Sequence, residues 1–315
     1  MDNSRALKGH ITALLTILIW GTTYVSTKIL LKSFSPIEIL LIRFFMGYIA
    51  LLVMYPHHIK YKSVKEEMLF MLAGLCGITL YYLFENIALT YTLASNVGII
   101  ISIAPFFTAL LAHFILDGEK LKLQFFIGFI AAIAGISLIY FNGSVILKLN
   151  PLGDFLAILA SIIWAVYSVL MRKISNFAYN TIGYTRKVFF YGILFMLPAA
   201  LIANVHFDIG KMTNITNLLN LVFLGFGASA LCFVSWNWAV GILGAVKTSA
   251  YIYLTPVITI TTSVIILHEK ITWMALLGAA LTLTGLFISE KKIKNKLSSN
   301  SLTENIAIKC IKKAR

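Results

Sequence analysis

Residues 9–28 read GHITALLTILIWGTTYVSTK, and residues 153–172 read GDFLAILASIIWAVYSVLMR. In each stretch a glycine comes first, a tryptophan follows eleven residues later, and a basic residue stands eight residues after the tryptophan. The two stretches are offset by a constant 144 residues, which indicates that the chain contains a duplication. Each stretch also has about the 20 residues that an apolar helix needs to cross the hydrocarbon core of a bilayer.

The correspondence continues through both halves of the chain. At an offset of 151, five residues of the first half match five of the second: Gly74, Asn86, Ala88, Ala94 and Pro105 match Gly225, Asn237, Ala239, Ala245 and Pro256. At an offset of 150, the matches are Glu119-Lys120, Gly128 and Gly135 with Glu269-Lys270, Gly278 and Gly285. With five spans in each copy, the second copy enters the membrane from the opposite side. Inverted repeats of this kind are typical of secondary transporters, whose substrate site lies near the repeat interface at mid-membrane.

The composition is that of a polytopic membrane protein. Hydrophobic residues make up 59% of the 315 residues and charged residues only 12%, and the mean hydropathy is +0.89. Soluble domains carry about 25% charged residues. We therefore predict an all-α integral membrane protein with ten transmembrane helices, arranged as two inverted five-helix repeats.

The apolar runs place the ten spans along the chain. The first repeat covers residues 1–145, the second covers 150–289, and a basic tail covers 290–315. The expected spans are 10–30, 36–55, 68–90, 94–116, 121–141, 152–171, 182–203, 217–240, 247–267 and 272–289.

Basic residues predict the orientation, because Lys and Arg in short loops concentrate on the cytoplasmic side. With the N-terminus inside, the cytoplasmic loops and the tail hold 18 of the 26 Lys and Arg residues, and the outer loops hold 5. We therefore expect a multi-pass protein of the cell membrane with both termini in the cytoplasm. The net charge of +14 reflects this asymmetry and an attraction to anionic lipid, and it does not indicate nucleic-acid binding.

The motifs resemble those of a known family. Trp20-Gly21-Thr22-Thr23, followed by Lys28, resembles the first-helix signature of EamA-type members of the drug/metabolite transporter superfamily, and Arg43-Phe44 resembles an Arg-Phe position of the same family. Two further runs extend the resemblance over about residues 9–289: Asn86-x-Ala88, Pro105, Glu119-Lys120, Gly128 and Gly135 in the first copy, and Trp164, Asn237-x-Ala239, Pro256 and Glu269-Lys270 in the second.

The resemblance implies a ten-helix bundle with a central cavity, in a family whose members move amino acids, other metabolites, nucleotide sugars or drugs. We expect a secondary transporter that moves a small metabolite, such as an amino acid, by alternating access, and we favour export. The alternative is an integral-membrane enzyme or flippase that acts on lipid-linked carriers. Such a protein would need clustered acidic, histidine or arginine side chains at one membrane face, whereas those of this chain are isolated. A receptor or scaffold would not explain the inverted duplication.

Two charged residues stand out within the spans. A charge at the centre of a bilayer costs about 2.5–3.5 kcal/mol on insertion scales, and it usually faces a cavity or a partner. Arg43 in the second span and Glu85 in the third are expected at similar depth in the outer half of the membrane. They could bind the carboxylate and ammonium groups of a zwitterion, or couple transport to a proton. A fixed ion pair that locks the helices together is the structural alternative.

Polar and aromatic side chains complete the candidate substrate site. Asn86 and Asn237 are repeat mates that could contact a polar ligand or form hydrogen bonds between helices. Rings that line a cavity would suit amphipathic or aromatic solutes and cations, whereas rings at the lipid interface would serve only as anchors. The aromatic candidates for substrate binding are Trp20, Tyr24, Tyr82, Trp164 and Tyr167.

Proline and glycine predict features of the bundle. Pro105 and Pro256 lie mid-span in the fourth and ninth spans, where a kink could be a gating hinge or a static bend. Gly128 with Gly135, and Gly278 with Gly285, give the fifth and tenth spans small faces for close helix contact. The sequence leaves open whether this contact lies within one chain or across a homodimer.

We expect no catalytic residue, metal or cofactor. The sequence contains no Gly-rich phosphate-binding loop that ends in Lys-Ser or Lys-Thr, and no Gly-x-Ser-x-Gly motif. The expected partners are a small-molecule substrate, the lipid bilayer and, as a coupling ion, a proton.

Overall fold

The computed structural model describes residues 3–60, 62–92, 94–117, 123–140, 150–203, 205, 208–267 and 273–290. Over these residues the secondary structure is helical, with no strand. The first repeat contains α1 (Asn3–Leu30), α2 (Pro36–Met54), α3 (Val64–Tyr91), α4 (Ala94–Ile101), α5 (Ala104–Ile115) and α6 (Leu123–Tyr140). The second contains α7 (Pro151–Ser175), α8 (Thr181–Ile202), a short α9 (Ile209–Thr213), α10 (Ile215–Leu243), α11 (Ala245–Ala250), α12 (Thr255–Leu267) and α13 (Trp273–Glu290).

These helices form ten membrane segments in two five-segment repeats. Helices α4 and α5 together make the fourth segment, α11 and α12 make the ninth, and α9 lies in the connection between the seventh and eighth. Within the described ranges, six helices are long and apolar enough to cross a membrane: α1, α2, α3, α7, α8 and α10. Shorter apolar helices occur in the fourth, fifth and tenth segments.

Local sequence explains where several helices begin. Ser35 caps α2: its hydroxyl accepts a hydrogen bond from the Glu38 amide, and the Glu38 carboxylate accepts one from the Ser35 amide at 2.6 Å. This reciprocal pair satisfies amide groups that have no partner within the helix. Asn150 accepts a bond from the Gly153 amide at the start of α7. In both helices a proline follows the cap, at a position where its missing N–H costs nothing.

The fourth and ninth segments are interrupted just before their prolines. Pro105 lies in the first turn of α5, and Pro256 lies in the first turn of α12, after a 3₁₀ turn at Tyr251–Leu254. The sequence predicted a proline in the middle of a continuous helix. Instead each helix ends and a new one starts, because proline lacks an N–H donor and fits best at a helix start.

Two π-helical stretches occupy matching places in the repeats. Leu75–Leu80 interrupts α3, and Phe223–Leu231 interrupts α10. An offset of 151 carries the first stretch onto residues 226–231, which lie inside the second. Neighbouring helices come close at both places: a Cβ atom on Gly77 would lie 2.1 Å from the Tyr167 ring, and one on Gly225 would lie 2.8 Å from the Met46 Cβ.

The helix contacts follow the repeat symmetry. Helix α3 packs on α7 as α10 packs on α1, and α3 packs on α8 as α10 packs on α2. Helices α6 and α13, which correspond to each other, pack directly together. Here a Cβ on Gly128 would lie 2.5 Å from the Gly285 carbonyl oxygen, and one on Gly135 would lie 2.5 Å from that of Gly278. The small faces that the sequence predicted are thus in contact within one chain.

Candidate functional site

Aromatic rings from both repeats meet at the centre of the bundle. Trp20 of α1 and its repeat mate Trp164 of α7 pack edge to face, with ring centroids 5.3 Å apart and an interplanar angle of 84°. Trp20 also contacts Phe233 and Trp236 of α10, at 5.4 Å and 5.1 Å. The indole N–H of Trp20 donates to the Ala228 carbonyl at 2.8 Å, which fixes the orientation of the ring. Edge-to-face packing of this kind is favourable beyond the area that the rings bury.

A small cavity lies against this aromatic cluster. Its volume is about 30 Å³, which is room for only one or two water molecules and not for a metabolite. The residues that line the cavity come from α1, α3, α4, α7 and, in the ninth segment, the interruption between α11 and α12 and the first residue of α12: Ile17, Trp20, Thr23, Tyr24, Tyr81, Tyr82, Glu85, Ile101, Trp164, Ile252 and Thr255. In the described conformation the centre of the bundle is therefore partly polar and aromatic, and this cavity has no room for a metabolite.

Glu85 is the carboxyl group in the cavity wall. The side chain is only 3% exposed, and it interacts with the side chain of Tyr81, one turn earlier on α3. Among the described residues, the ion pair that the structure records lies elsewhere, between Lys187 and Glu67 at 2.6 Å. A direct ion pair between Glu85 and Arg43, which their similar depth suggested, is not formed.

Arg43 is buried next to the cavity without an acidic neighbour in contact. It is 1% exposed, and its Nε donates to the Ser229 hydroxyl at 3.0 Å. Its guanidinium carbon lies 4.5 Å from the centroid of the Tyr82 ring and 5.1 Å from that of Phe44. Nη1 and Nη2 have no hydrogen-bond partner. Such an arrangement is costly, because Nη1 and Nη2 are buried charged donors that have lost their water and have no acceptor in its place.

The two asparagine repeat mates differ in their bonding. Both polar atoms of the Asn237 side chain have a partner: its Oδ1 accepts from the Tyr167 hydroxyl at 2.9 Å, and its Nδ2 donates to the Thr185 hydroxyl at 3.0 Å. Asn86 donates from Nδ2 to the Pro36 carbonyl at 3.3 Å, and its buried Oδ1 has no partner. Asn237 thus ties α7, α8 and α10 together, whereas Asn86 keeps an unused acceptor.

The structure brings only some of the predicted site residues to the cavity. Those that line it are Trp20, Tyr24, Tyr82, Glu85 and Trp164. The other four predicted residues are buried nearby without lining it: Arg43, Asn86, Tyr167 and Asn237. Pro105 and Pro256 lie at helix starts, and Thr255, next to Pro256, does line the cavity. The Glu119-Lys120 and Glu269-Lys270 pairs and the tail after Glu290 lie outside the described residues.

The site prediction missed Tyr81, Thr23 and Thr255 in the cavity wall, and Phe233 and Trp236 in the aromatic cluster. Trp236 could have been found by symmetry, because it occupies the position that Glu85 has in the first repeat. The two threonines carried no comparable signal, since a threonine in a membrane helix usually bonds to its own backbone. In the described part of the chain, no three His, Cys, Asp or Glu side chains lie together in a group that could hold a metal ion.

Comparison with known proteins gives consistent matches over most of the chain. The model of the EamA-like transporter family matches twice, at residues 7–141 and 151–290. An uncharacterised transporter of Archaeoglobus fulgidus is 28% identical over 90% of this chain and 98% of its own length. A probable amino-acid metabolite efflux pump of Escherichia coli is 25% identical, with 90% and 94% covered. A probable terminal-alkyne amino-acid exporter of Streptantibioticus cattleyicolor is 26% identical, with 88% and 92% covered.

A solved crystal structure shares the fold. It superposes with a TM-score of 0.72 over 92% of this chain and 99% of its own, at 19% sequence identity. The relatives are named as transporters and efflux pumps rather than as enzymes.

Proposed function

Because the chain belongs to the EamA-like transporter family of the drug/metabolite transporter superfamily, we propose that it exports a small zwitterionic metabolite, such as an amino acid, by alternating access. The protein is a multi-pass membrane protein of a family that moves small solutes across the lipid bilayer. The proposal adds the substrate class, the direction, and a cell-membrane location with both termini in the cytoplasm. The names of the Escherichia coli and Streptantibioticus relatives support amino-acid export.

The guanidinium group of Arg43 carries the proposal. Two of its nitrogens are buried without an acceptor, beside a cavity whose wall contains a carboxyl group and five tyrosine and tryptophan side chains. Arginine presents its donors as a planar fork that matches a carboxylate. A substrate carboxylate that displaced the Tyr82 ring would supply the missing acceptors. The cost of keeping Arg43 unpaired in the empty protein would then be recovered only when substrate is bound.

Glu85 is suited to the other end of a zwitterion. Its carboxyl group could receive the substrate ammonium group, or it could carry the coupling proton when the substrate is absent. The surrounding rings of Trp20, Tyr24 and Trp164 would pack against an apolar side chain and favour a cation over their faces. The small volume of the cavity means that the substrate must enter through a conformational change, which alternating access provides.

The test is counterflow into liposomes that contain purified protein and a panel of unlabelled amino acids. Wild-type protein should exchange at least one labelled amino acid, and Arg43→Met should abolish the exchange without lowering the unfolding temperature. Methionine keeps an unbranched stem in place of the arginine stem and removes the buried charge, so folding loses little.

Arg186→Met is the matched control, because Arg186 is a buried arginine whose guanidinium donates to the backbone carbonyls of Tyr55 and His57. Its loss should lower stability while the remaining folded protein still exchanges the substrate. If wild-type protein exchanges no amino acid, the proposed substrate class is wrong. If Arg43→Met exchanges like the wild type, Arg43 does not bind substrate.

A further inference from the structure

Lys28 and Arg172, which are repeat mates, make the same unusual contact. The ammonium group of Lys28 donates to the Leu89 carbonyl and, at 3.1 Å, to the Thr92 carbonyl. Nη1 of Arg172 donates to the carbonyls of Gly241 at 2.7 Å and Val240 at 3.5 Å. Each cation thus extends from the end of the first membrane segment of its repeat to the C-terminal end of the third segment, which is α3 in the first repeat and α10 in the second. The last carbonyls of a helix lack partners within the helix and carry partial negative charge, so a cation is stabilised there.

The two contacts lie at opposite ends of the bundle. Near the start of α7, a Cβ on Gly153 would lie 3.0 Å from Tyr91, so α7 begins where α3 ends. Near the start of α1, a Cβ on Gly9 would lie 3.0 Å from Leu243, so α1 begins where α10 ends. Lys28 is near the far end of α1 and Arg172 near the far end of α7. One of the two cations therefore lies near each membrane face.

The helices that these cations hold are interrupted at mid-length. The π-helical stretches Leu75–Leu80 in α3 and Phe223–Leu231 in α10 leave two C-terminal half-helices, Tyr81–Tyr91 and Cys232–Leu243. Interruptions of this kind are frequent at functional sites in helices. The first half-helix carries Glu85 of the cavity wall, and the second carries Trp236, which packs on Trp20. Movement of either half-helix would change the cavity.

We propose that Lys28 and Arg172 are latches, each of which holds one gate of the transporter closed, with the half-helices as the gates and the π-helical stretches as their hinges. This inference rests on the proposed alternating access. With both latches engaged and a cavity of about 30 Å³, the structure is the occluded state. Release of Lys28 opens the cavity to the face where α3 ends, and release of Arg172 opens it to the other face. Opening toward one face needs only its own latch to release, so the other stays engaged and the cavity is not open to both sides.

A thiol-labelling experiment tests the latches without any substrate. The reporter is Thr23→Cys in the cavity wall, in protein whose Cys76, Cys232 and Cys310 are replaced by alanine. A membrane-impermeant thiol reagent is added to right-side-out vesicles and, separately, to inverted vesicles. Lys28→Met should raise the labelling rate about tenfold from one face only, and Arg172→Met should raise it about tenfold from the opposite face only. A tenfold change corresponds to about 1.4 kcal/mol in the opening equilibrium.

Five further variants act as controls. Lys32→Met and Lys173→Met remove neighbouring cations and should leave both rates unchanged, and Lys28→Arg and Arg172→Lys should restore slow labelling. A cysteine at Ala160, which is fully buried on α7 and does not line the cavity, reports unfolding and should stay unlabelled.

The latch proposal is overturned if labelling does not rise, or if it rises equally from both faces. If each cation merely caps a helix, its removal would loosen the bundle and raise labelling from both faces alike. The outcome is independent of the substrate. If the labelling is one-sided but no amino acid is exchanged in liposomes, the latches stand and the proposed substrate class fails.

Discussion

At the scale of single residues, symmetry of sequence does not mean symmetry of role. Trp20 and Trp164 occupy the same place in the two repeats, but the indole N–H of Trp20 is hydrogen-bonded and the buried one of Trp164 has no partner. Asn86 and Asn237 differ in the same way. In each pair one member is fully used in the protein, and the other keeps a polar group that a ligand could satisfy.

We predict opposite consequences for the two asparagines. Asn237→Leu should destabilise the protein, because it leaves the buried hydroxyls of Tyr167 and Thr185 without their partner, at about 1–3 kcal/mol for each buried group left unpaired. Asn86→Leu gives up one bond of 3.3 Å and also removes an unpaired oxygen, so its effect should be small. Thermal unfolding of the two variants in detergent measures the difference, and equal losses in the two would show that Asn237 does not tie the helices together.

At the scale of helices, the contact between α6 and α13 depends on glycine. A Cβ on Gly135 would lie 2.5 Å from the Gly278 carbonyl oxygen and 2.5 Å from the Thr282 amide nitrogen. Both are backbone atoms, so the two helices would have to separate to make room. Close approach of small residues is a main source of helix association in membranes, where lipid removes the hydrophobic drive.

We therefore predict that Gly135→Ala lowers the free energy of unfolding by about 1–3 kcal/mol, as overpacking does elsewhere. Gly98→Ala is the matched control, because its Cβ would make an ordinary contact at 3.7 Å with the Thr259 hydroxyl. It should be neutral or slightly stabilising, since alanine loses less conformational freedom than glycine in a helix. An unfolding temperature of Gly135→Ala that equals the wild-type value would contradict the packing described for these helices.

At the scale of the whole molecule, the basic residues and the inverted repeats make one topology prediction. With 18 of 26 Lys and Arg residues on one side and 5 on the other, both termini should be cytoplasmic. A phosphatase that is active only outside the cytoplasm should be active when fused after Asn150 and inactive when fused after Arg315. The reverse pattern of phosphatase activity would show that the orientation in the membrane is inverted. Lys28 would then act at the cytoplasmic face and Arg172 at the outer face.

Much of the architecture could be predicted from the order of residues along the chain. Spans and repeat boundaries follow from the length and spacing of the apolar runs, and the charge bias follows from the basic residues between them. No tertiary contact changes either pattern. The residues of the cavity wall were harder to predict, because Thr23 and Thr255 resemble any other threonine in a membrane helix. The sequence places Pro105 and Pro256 within the fourth and ninth spans, but the form of the backbone there, a restarted helix rather than a kinked one, depends on the turn before each proline.

The sequence by itself determined that the protein is helical, membrane-embedded, duplicated and inverted, and that Trp20 and Trp164 correspond. Only the tertiary structure decided that these two rings meet edge to face, that Arg43 faces Tyr82 and Ser229 instead of Glu85, and that Lys28 and Arg172 hold the ends of α3 and α10. The reason is geometric. Depth in the membrane follows from position along a helix, but contact depends on how each helix is rotated about its axis and crossed against its neighbours, and that is set by the packing of all ten segments together.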